Sequence, residues 1–496
     1  VRVSLALGVV LLALVAAGVS WGATGYDPAT DVNSMLNTTA YSGAAAFWTA
    51  GYTGAGVDVA VIDTGVSPVP GLDGAGKVVN GPDLSVDSQN PALRYLDANG
   101  HGTFMASLIA GHDATLTAPY ASAPASAFRG MAPDARIVNV KVGNADGGVD
   151  VSQVIAGIDW VVQHRHDNGL NIRVLNLSYG TNTTQAYTVD PLAYAIEQAW
   201  KAGILVVAAA GNNSFTGGSA GNMETPAKDP FVVAVGASDS NGTGAMSDDK
   251  VANYSAKGSK TRHVDLVAPG SHIVGLRVPG SYVDQTNGSS GYVSPTLFRG
   301  SGTSEATALV SGAAALIIQQ RPSITPSQLK LLLMNTCFGL SASNSWQGRG
   351  ELNLSAALTA PSTATDSAHT PSTGTGSLEL SRGTDHLTLN GVALSGEKDI
   401  FGHAFNSAGM ATAEAAGSSW AGGGWNGNTW SGNSWSGNSW SGNTWSGNSW
   451  SGNSWSGNTW SGNSWSGNSW SGNTWSGNSW SGNSWSGNSW SGDSWG

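Results

Sequence analysis

The sequence predicts an α/β fold in three layers, a central and mostly parallel sheet with helices on both faces. Three observations predict it. Short runs of Val, Ile, Leu and Ala recur between about residues 57 and 267 and are apolar throughout, as strands buried on both faces are. Between them lie stretches whose apolar residues fall at helical spacing. Strands that alternate with helices imply a parallel sheet covered on both sides.

The strand candidates are residues 57–62, 136–142, 172–177, 204–209, 231–236 and 264–267. In the helix candidate 151–166, Val151, Val154, Ile155, Ile158 and Val162 repeat along one face. Residues 191–202 open with Asp190-Pro191, a capping residue followed by proline at the first helical position, and stop at Gly203. Residues 307–320 are rich in Ala, Leu and Ile and read as a buried helix. Crossovers in such a sheet are right-handed, and ligands gather at the carboxyl ends of its strands.

The chain has 496 residues, room for two to four structural units. Arg2, the apolar run from Leu5 to Val19 and the small residues around Ala16, Ala17 and Gly22 have the layout of a secretory signal peptide, residues 1–22. That run, about fifteen residues, is short for a bilayer span. Val at position 1 fits a non-AUG start codon. A segment 23–41 leads into the globular region, 42–358. No later stretch is long and apolar enough for a transmembrane helix, so an extracellular location is expected.

Residues 359–376 have the Pro, Ser, Thr, Ala and Gly composition of a linker. A small β-hairpin module is expected over 377–407. Leu378 and Leu380 alternate with polar residues, and the stretch from Leu387 to Leu394 turns on Asn390-Gly391. Such a module is too small to stand without a partner surface. A Gly/Ala-rich joint, 408–427, precedes the pentapeptide repeats of 428–496, and Trp recurs at every fifth position from Trp420 to Trp495. A period of five matches neither helix nor strand. It leaves open an array of indoles that stack on sugars or another polymer, a compact solenoid and a disordered tail.

Charged residues are 11% of the chain and the net charge is -11. No Lys/Arg cluster occurs, which excludes a nucleic-acid footprint. The acidic balance bears on solubility. Cys337 is the single cysteine, so no intrachain disulfide forms. Its apolar helical surroundings, 328–337, suit a buried small hydrophobe, and nothing nearby would activate a thiolate.

Three segments carry candidate chemistry. Val59-Ala60-Val61-Ile62-Asp63-Thr64-Gly65 is an apolar strand that ends in a carboxylate. Asn99-Gly100-His101-Gly102-Thr103 is followed by the apolar, helix-like run 104–110. Gly300-Ser301-Gly302-Thr303-Ser304 leads into the buried helix. Taken alone, Asp63 suits a turn, His101 a helix cap or a core histidine, and Ser304 an N-cap. Asp, His and Ser in that chain order are one of the known triad orders.

The three segments resemble the signature segments of the subtilisin-like serine peptidases, the subtilases. So do Gly51-Tyr52-Thr53-Gly54 with Gly56-Val57, Pro226-Ala227-Lys228 before the 231–236 strand, Asn253-Tyr254-Ser255 and Ala268-Pro269-Gly270. The resemblance spans residues 42–358 and implies a three-layer subtilisin-like domain. It implies a serine endopeptidase in which His101 takes the proton of Ser304 and Asp63 holds the imidazole. The backbone N–H of Ser304 and the side chain of Asn212 would bind the oxyanion, Asn212 being favoured over Asn213 beside it. Ser178, Tyr179 and Gly180, with Ala209, Ala210 and Gly211, would be the substrate edges and the walls of the pocket for the residue before the scissile bond. No cofactor is required. Structural calcium is frequent in the family, but no ligands are assignable here. Expected partners are protein or peptide substrates and, through the Trp-rich tail, an envelope glycan or polymer.

The pattern departs from the family in places. Glu305 stands where Met is usual, and a carboxylate there favours a protonated His101 and an alkaline pH optimum. Ala308 and Leu309 replace Pro-His, while Phe104 and Ser107 replace His and Gly, changes that concern packing. About two dozen residues separate the leader from the catalytic region, too few for the usual folding propeptide. Glu305 and that short lead-in sustain a rival reading, a surface-binding protein with an inactive peptidase domain.

Overall fold

The computed structural model describes residues 25–90, 93–213, 222–363, 368–389, 392–400, 402–421 and 424–426, and the backbone of 429–431, 434–476, 479–491 and 494–495. The signal-peptide reading of 1–22 lies outside these residues.

The apolar runs form the sheet expected of them. Strand β1 (Asp58–Asp63) lies between β3 (Arg136–Lys141) and β4 (Ile172–Leu177), parallel to both. The ladder continues outward from β3 to β2 (Val78–Asp83), and from β4 to β5 (Leu205–Ala209) and β6 (Val233–Asp239), all parallel. Two strands finish it on β6, β7 (Lys250–Val251) antiparallel and β8 (Leu266–Pro269) parallel. The strand read at 231–236 starts later, at Val233, and the one read at 264–267 lies at Leu266–Pro269. β2 escaped the sequence reading because its residues are half polar and include Gly81-Pro82. A small antiparallel sheet, β9 (Ile273–Leu276), β10 (Tyr292–Ser294) and β11 (Leu297–Gly300), also went unread, each of its strands being four residues or fewer.

Helices α1 (Met35–Tyr41) and α2 (Ala44–Thr49) precede the sheet. Helices α3 (His101–Ala110), α4 (Val151–His164), α5 (Pro191–Lys201), α6 (Tyr282–Gly291), α7 (Thr303–Gln320) and α8 (Pro326–Asn335) follow in order. Asp150 and Gln153 close a capping box on α4, and Asp190 caps α5 ahead of Pro191. α7 begins four residues earlier than the composition suggested, because Gly302 and the 211–212 loop hold its first turn.

The strand alternation sorts the core into two layers. Val59, Val61, Val174 and Val207 face Met105 and Ile109 of α3 and Val310 and Ala314 of α7. Ala60, Ile62, Val140 and Leu175 face Ile155 and Ile158 of α4 and Ile196 of α5. Each of the Val, Leu, Ile and Met side chains contributes about 1.5–3 kcal/mol by leaving water. Among the described residues no helix is long and apolar enough to cross a membrane.

Residues beyond 358 pack on this body. The described part of the linker-like stretch runs beside α5: the Ser372 amide donates to Glu197 Oε1 (2.6 Å) and its hydroxyl to the Asp190 carbonyl (2.9 Å). The Leu378/Leu380 alternation corresponds to a short helix, Leu378–Arg382, rather than to extended chain. Ser377 accepts from the Leu380 amide and Gly383 ends the turn at a φ of 64°. The hairpin strands pair as read, Thr388–Leu389 with Val392–Ala393, while the Asn390-Gly391 turn reading lies outside the described residues. The partner surface that this small module needs is the α4 N-terminus. Arg382, fully buried, donates from Nε to Asp150 Oδ2 (2.6 Å), and the Ile400 amide donates to Ser152 Oγ (3.0 Å).

The joint contains a helix, Ser407–Ala415, and docks through two indoles. Trp420 Nε1 donates to the Ala156 carbonyl (2.8 Å) and Trp425 Nε1 to Asp159 Oδ2 (2.7 Å). In the repeats the backbone pairs in parallel with an offset of three pentapeptides, Trp430 opposite Trp445 and Trp465 opposite Trp480.

Candidate active site

The site grows from the carboxyl end of β1. Asp63 is the last residue of that strand, and its Oδ1 accepts from the Thr64 amide (2.7 Å) and lies 2.8 Å from His101 Nδ1. With the proton on Nδ1 this is a donated hydrogen bond that leaves Nε2 free as a base. His101 is the first residue of α3, and the glycines beside it are both required. Gly100 has a φ of 103°, and a Cβ on Gly102 would run into the Gly65 carbonyl.

The sequence reading missed Asp97, the group that sets this corner. Its Oδ1 accepts from Thr64 Oγ1 (2.8 Å) and the Gly100 amide (2.7 Å), and its Oδ2 from the Thr103 amide (2.7 Å). It caps α3 and ties that helix to the residue after Asp63. Burial pushes its carboxyl upward against those hydrogen bonds.

Ser304 is the second residue of α7, and α7 packs against α3. Among the described residues no hydrogen bond joins the His101 ring to Ser304 Oγ; bonds of this kind commonly tighten only with substrate in place. Asn212 reaches the same turn. Its Oδ1 accepts from the Thr303 amide (2.8 Å) and Thr303 Oγ1 (3.0 Å), and its Nδ2 sits 3.3 Å from where a Cβ on Gly302 would stand. The carbonyl end is thus fastened. The amide end has no acceptor among the described residues and remains a ready donor beside the Ser304 N–H. Thr303 was quoted in the motif, but its orienting role was not read.

Glu305 is buried over Gly300 and Gly302, within electrostatic reach of His101. Burial disfavours the imidazolium, yet Asp63, then Glu305 and Asp97, outweigh it and push His101 up to about 9. Burial likewise raises the Glu305 carboxyl, partly offset by the His101 cation. Phe104 and Ser107 serve packing as expected: Phe104 is buried, and Ser107 Oγ accepts from the Leu276 amide (3.0 Å). Ala308 and Leu309 are fully buried. Cys337, half-buried, donates to the Leu333 carbonyl (3.2 Å), and burial pushes its thiol up, away from reactivity.

A cleft of about 780 Å³ opens over Asp63 and His101. Ser178, Tyr179 and Gly180 line one side with no backbone partner among the described residues, as a substrate-pairing edge requires. Ala210 and Gly211 differ. The Ala210 amide donates to Val235 and its carbonyl accepts from Glu224, while the Gly211 amide donates to Thr303 Oγ1. With Ala209 buried and paired in β5, that segment is not a free edge, and none of the three residues lines the cleft. Gly143, Asp146–Val149 and, from the C-terminal module, Thr384–Thr388 complete its lining. Nothing in the local sequence of 384–388 signals a cleft wall.

Among the described residues no three His, Cys, Asp or Glu side chains converge as a metal site.

A mostly parallel three-layer sheet with a carboxylate–imidazole pair at one strand end and a serine at a helix start defines a class of hydrolase-type α/β proteins. Residues 54–370 match the subtilase family of S8 peptidases, and the chain belongs to that family. It is 38% identical over 289 residues to the serine protease AprX of Bacillus subtilis (strain 168), covering 57% of this chain and 61% of that one. It is 34% identical over 311 residues to subtilisin DY of Bacillus licheniformis, covering 62% and 92% respectively. Among solved structures, a cold adapted subtilisin-like serine proteinase is 30% identical with a TM-score of 0.44, covering 61% of this chain and 90% of that chain.

Proposed function

We propose that the protein is a secreted serine endopeptidase that hydrolyses peptide bonds through an acyl-enzyme. Ser304 Oγ attacks the scissile carbonyl while His101 Nε2 takes its proton. Asp63 fixes the tautomer and stabilises the imidazolium. The oxyanion receives the Ser304 N–H and Asn212 Nδ2. His101 then gives its proton to the leaving amine, and a water activated by the same ring releases the acyl group.

The observation that carries this reading is the amide of Asn212. Its oxygen is fastened to the Thr303 turn and its nitrogen has no acceptor among the described residues beside Ser304, which suits a donor waiting for an anion. A fluorophosphonate probe tests it. Label on the wild type but not on Ser304→Ala is expected, and no label on either protein returns the inactive surface-binding reading.

The Trp repeats are proposed to tether the enzyme to an envelope glycan or polymer, each weak contact multiplied by its neighbours. Retention of the full chain on cell-wall fractions, lost when the chain ends after residue 426, is the expected result. Equal release of both forms into the medium would remove the tether.

A further inference from the structure

Gly180, which lines the cleft, and Gly211, in the loop after β5, share one neighbour. A Cβ built on Gly180 would stand 2.5 Å from Glu224 Oε2, and one built on Gly211 would stand 2.8 Å from Glu224 Cδ. A single carboxylate therefore lies against both glycines, one of which borders the cleft. Its backbone is fixed on both sides of the residue. The Glu224 amide donates to the Ala210 carbonyl (3.0 Å), and Thr225 exchanges two backbone hydrogen bonds with Thr181 (2.8 and 3.0 Å). Asn213 Nδ2 donates weakly to Oε1 (3.4 Å).

No cation pairs with this carboxylate among the described residues. Lys228, the nearest in charge, turns its Nζ to the Thr183 carbonyl (2.7 Å). Asp385, at the module end of the cleft, adds negative potential. Burial first, and Asp385 second, push the Glu224 carboxyl up, and the Asn213 amide and the Lys228 charge offset them only in part. A half-buried carboxylate against these glycines resists an apolar side chain, which would desolvate it without compensation. It gains from an ammonium or guanidinium, which supplies the missing charge. We infer that Glu224 selects substrates with Lys or Arg immediately before the scissile bond. This inference rests on the peptidase reading above and adds the substrate class to it.

The test uses the full chain and peptides that differ only in the residue before the scissile bond: Lys, Arg, Leu or Phe. The wild type is expected to favour Lys and Arg in kcat/KM by about 10²-fold, the scale of one desolvated charge pair. Glu224→Gln is expected to lose most of that preference, falling on Lys and rising on Leu. Fluorophosphonate titration of Ser304 in both proteins separates the two levels. A wild type that labels but cleaves after Leu or Phe as readily as after Lys, or cleaves none of the four, overturns the inference alone. A wild type that does not label overturns the peptidase reading and the inference with it. Should the variant fail to label, benzamidine decides the matter on the wild type. Protection of Ser304 from the probe supports the acidic slot, and no protection overturns it.

Discussion

His101 sits among three carboxylates, Asp63, Glu305 and Asp97, and that setting gives its titration a sign. Because they hold the imidazolium up to about 9, the ring becomes a free base only toward alkaline pH, and the acidic limb of kcat/KM belongs there. Glu305→Gln removes one negative charge, so the limb moves to lower pH in a pH–rate profile; a limb that stays in place removes Glu305 from the account. The same shift favours the folded state below about 6.5, and that contribution fades as pH rises through about 9, weakened throughout because the ring is about a third exposed. Asn212→Ala should lower kcat by about 10²–10³-fold with KM little changed, the scale that loss of this donor produces in subtilisin itself. At this scale the sequence was most informative. Asp63, His101, Ser304 and Asn212 each stand in a short motif whose residue types are demanded by the chemistry. Asp97 and Glu224 were not legible, because their roles come from contacts between segments far apart in the chain.

The elements that hold those residues are a strand end and two helix starts, and the links between them are side chains that themselves do no chemistry. Thr303 is the clearest. Its hydroxyl donates to Asn212 Oδ1 and accepts from the Gly211 amide, joining the α7 N-terminus to the loop after β5. Thr303→Val should lower kcat about tenfold, equivalent to one hydrogen bond of about 1.4 kcal/mol, without a matching rise in KM. Thr303→Ser should restore it; a variant that loses stability and activity together, unrescued by serine, assigns Thr303 to packing alone. The parallel strands were readable because burial on both faces leaves a continuous apolar signal. β2 and the small antiparallel sheet were not, since half-polar or very short strands fall below any periodicity. The Leu378–Arg382 helix shows the opposite error: two leucines at strand spacing were overruled by a serine cap, a glycine stop and an arginine with a buried partner.

Across the whole molecule, the module after residue 368 is part of the catalytic body. Asp150 and Arg382 are both fully buried and paired, and Asp150 also caps α4. Arg382→Ala would leave that carboxylate without its cation and should destabilise the fold by about 3–5 kcal/mol, read from the denaturant midpoint. An unchanged midpoint would mean that the module contributes nothing to stability. The linker-like composition of 359–376 concealed this, because composition reports what a segment is able to do and not which surface lies next to it. The wall made by 384–388 has a consequence in time. A ribosome releases Ser304 some eighty residues before it releases that wall, so a nascent chain holds its nucleophile while part of its cleft lining is still missing. Productive grip on a polypeptide waits for that wall to emerge, and a chain broken off before it carries the blade without the jaw.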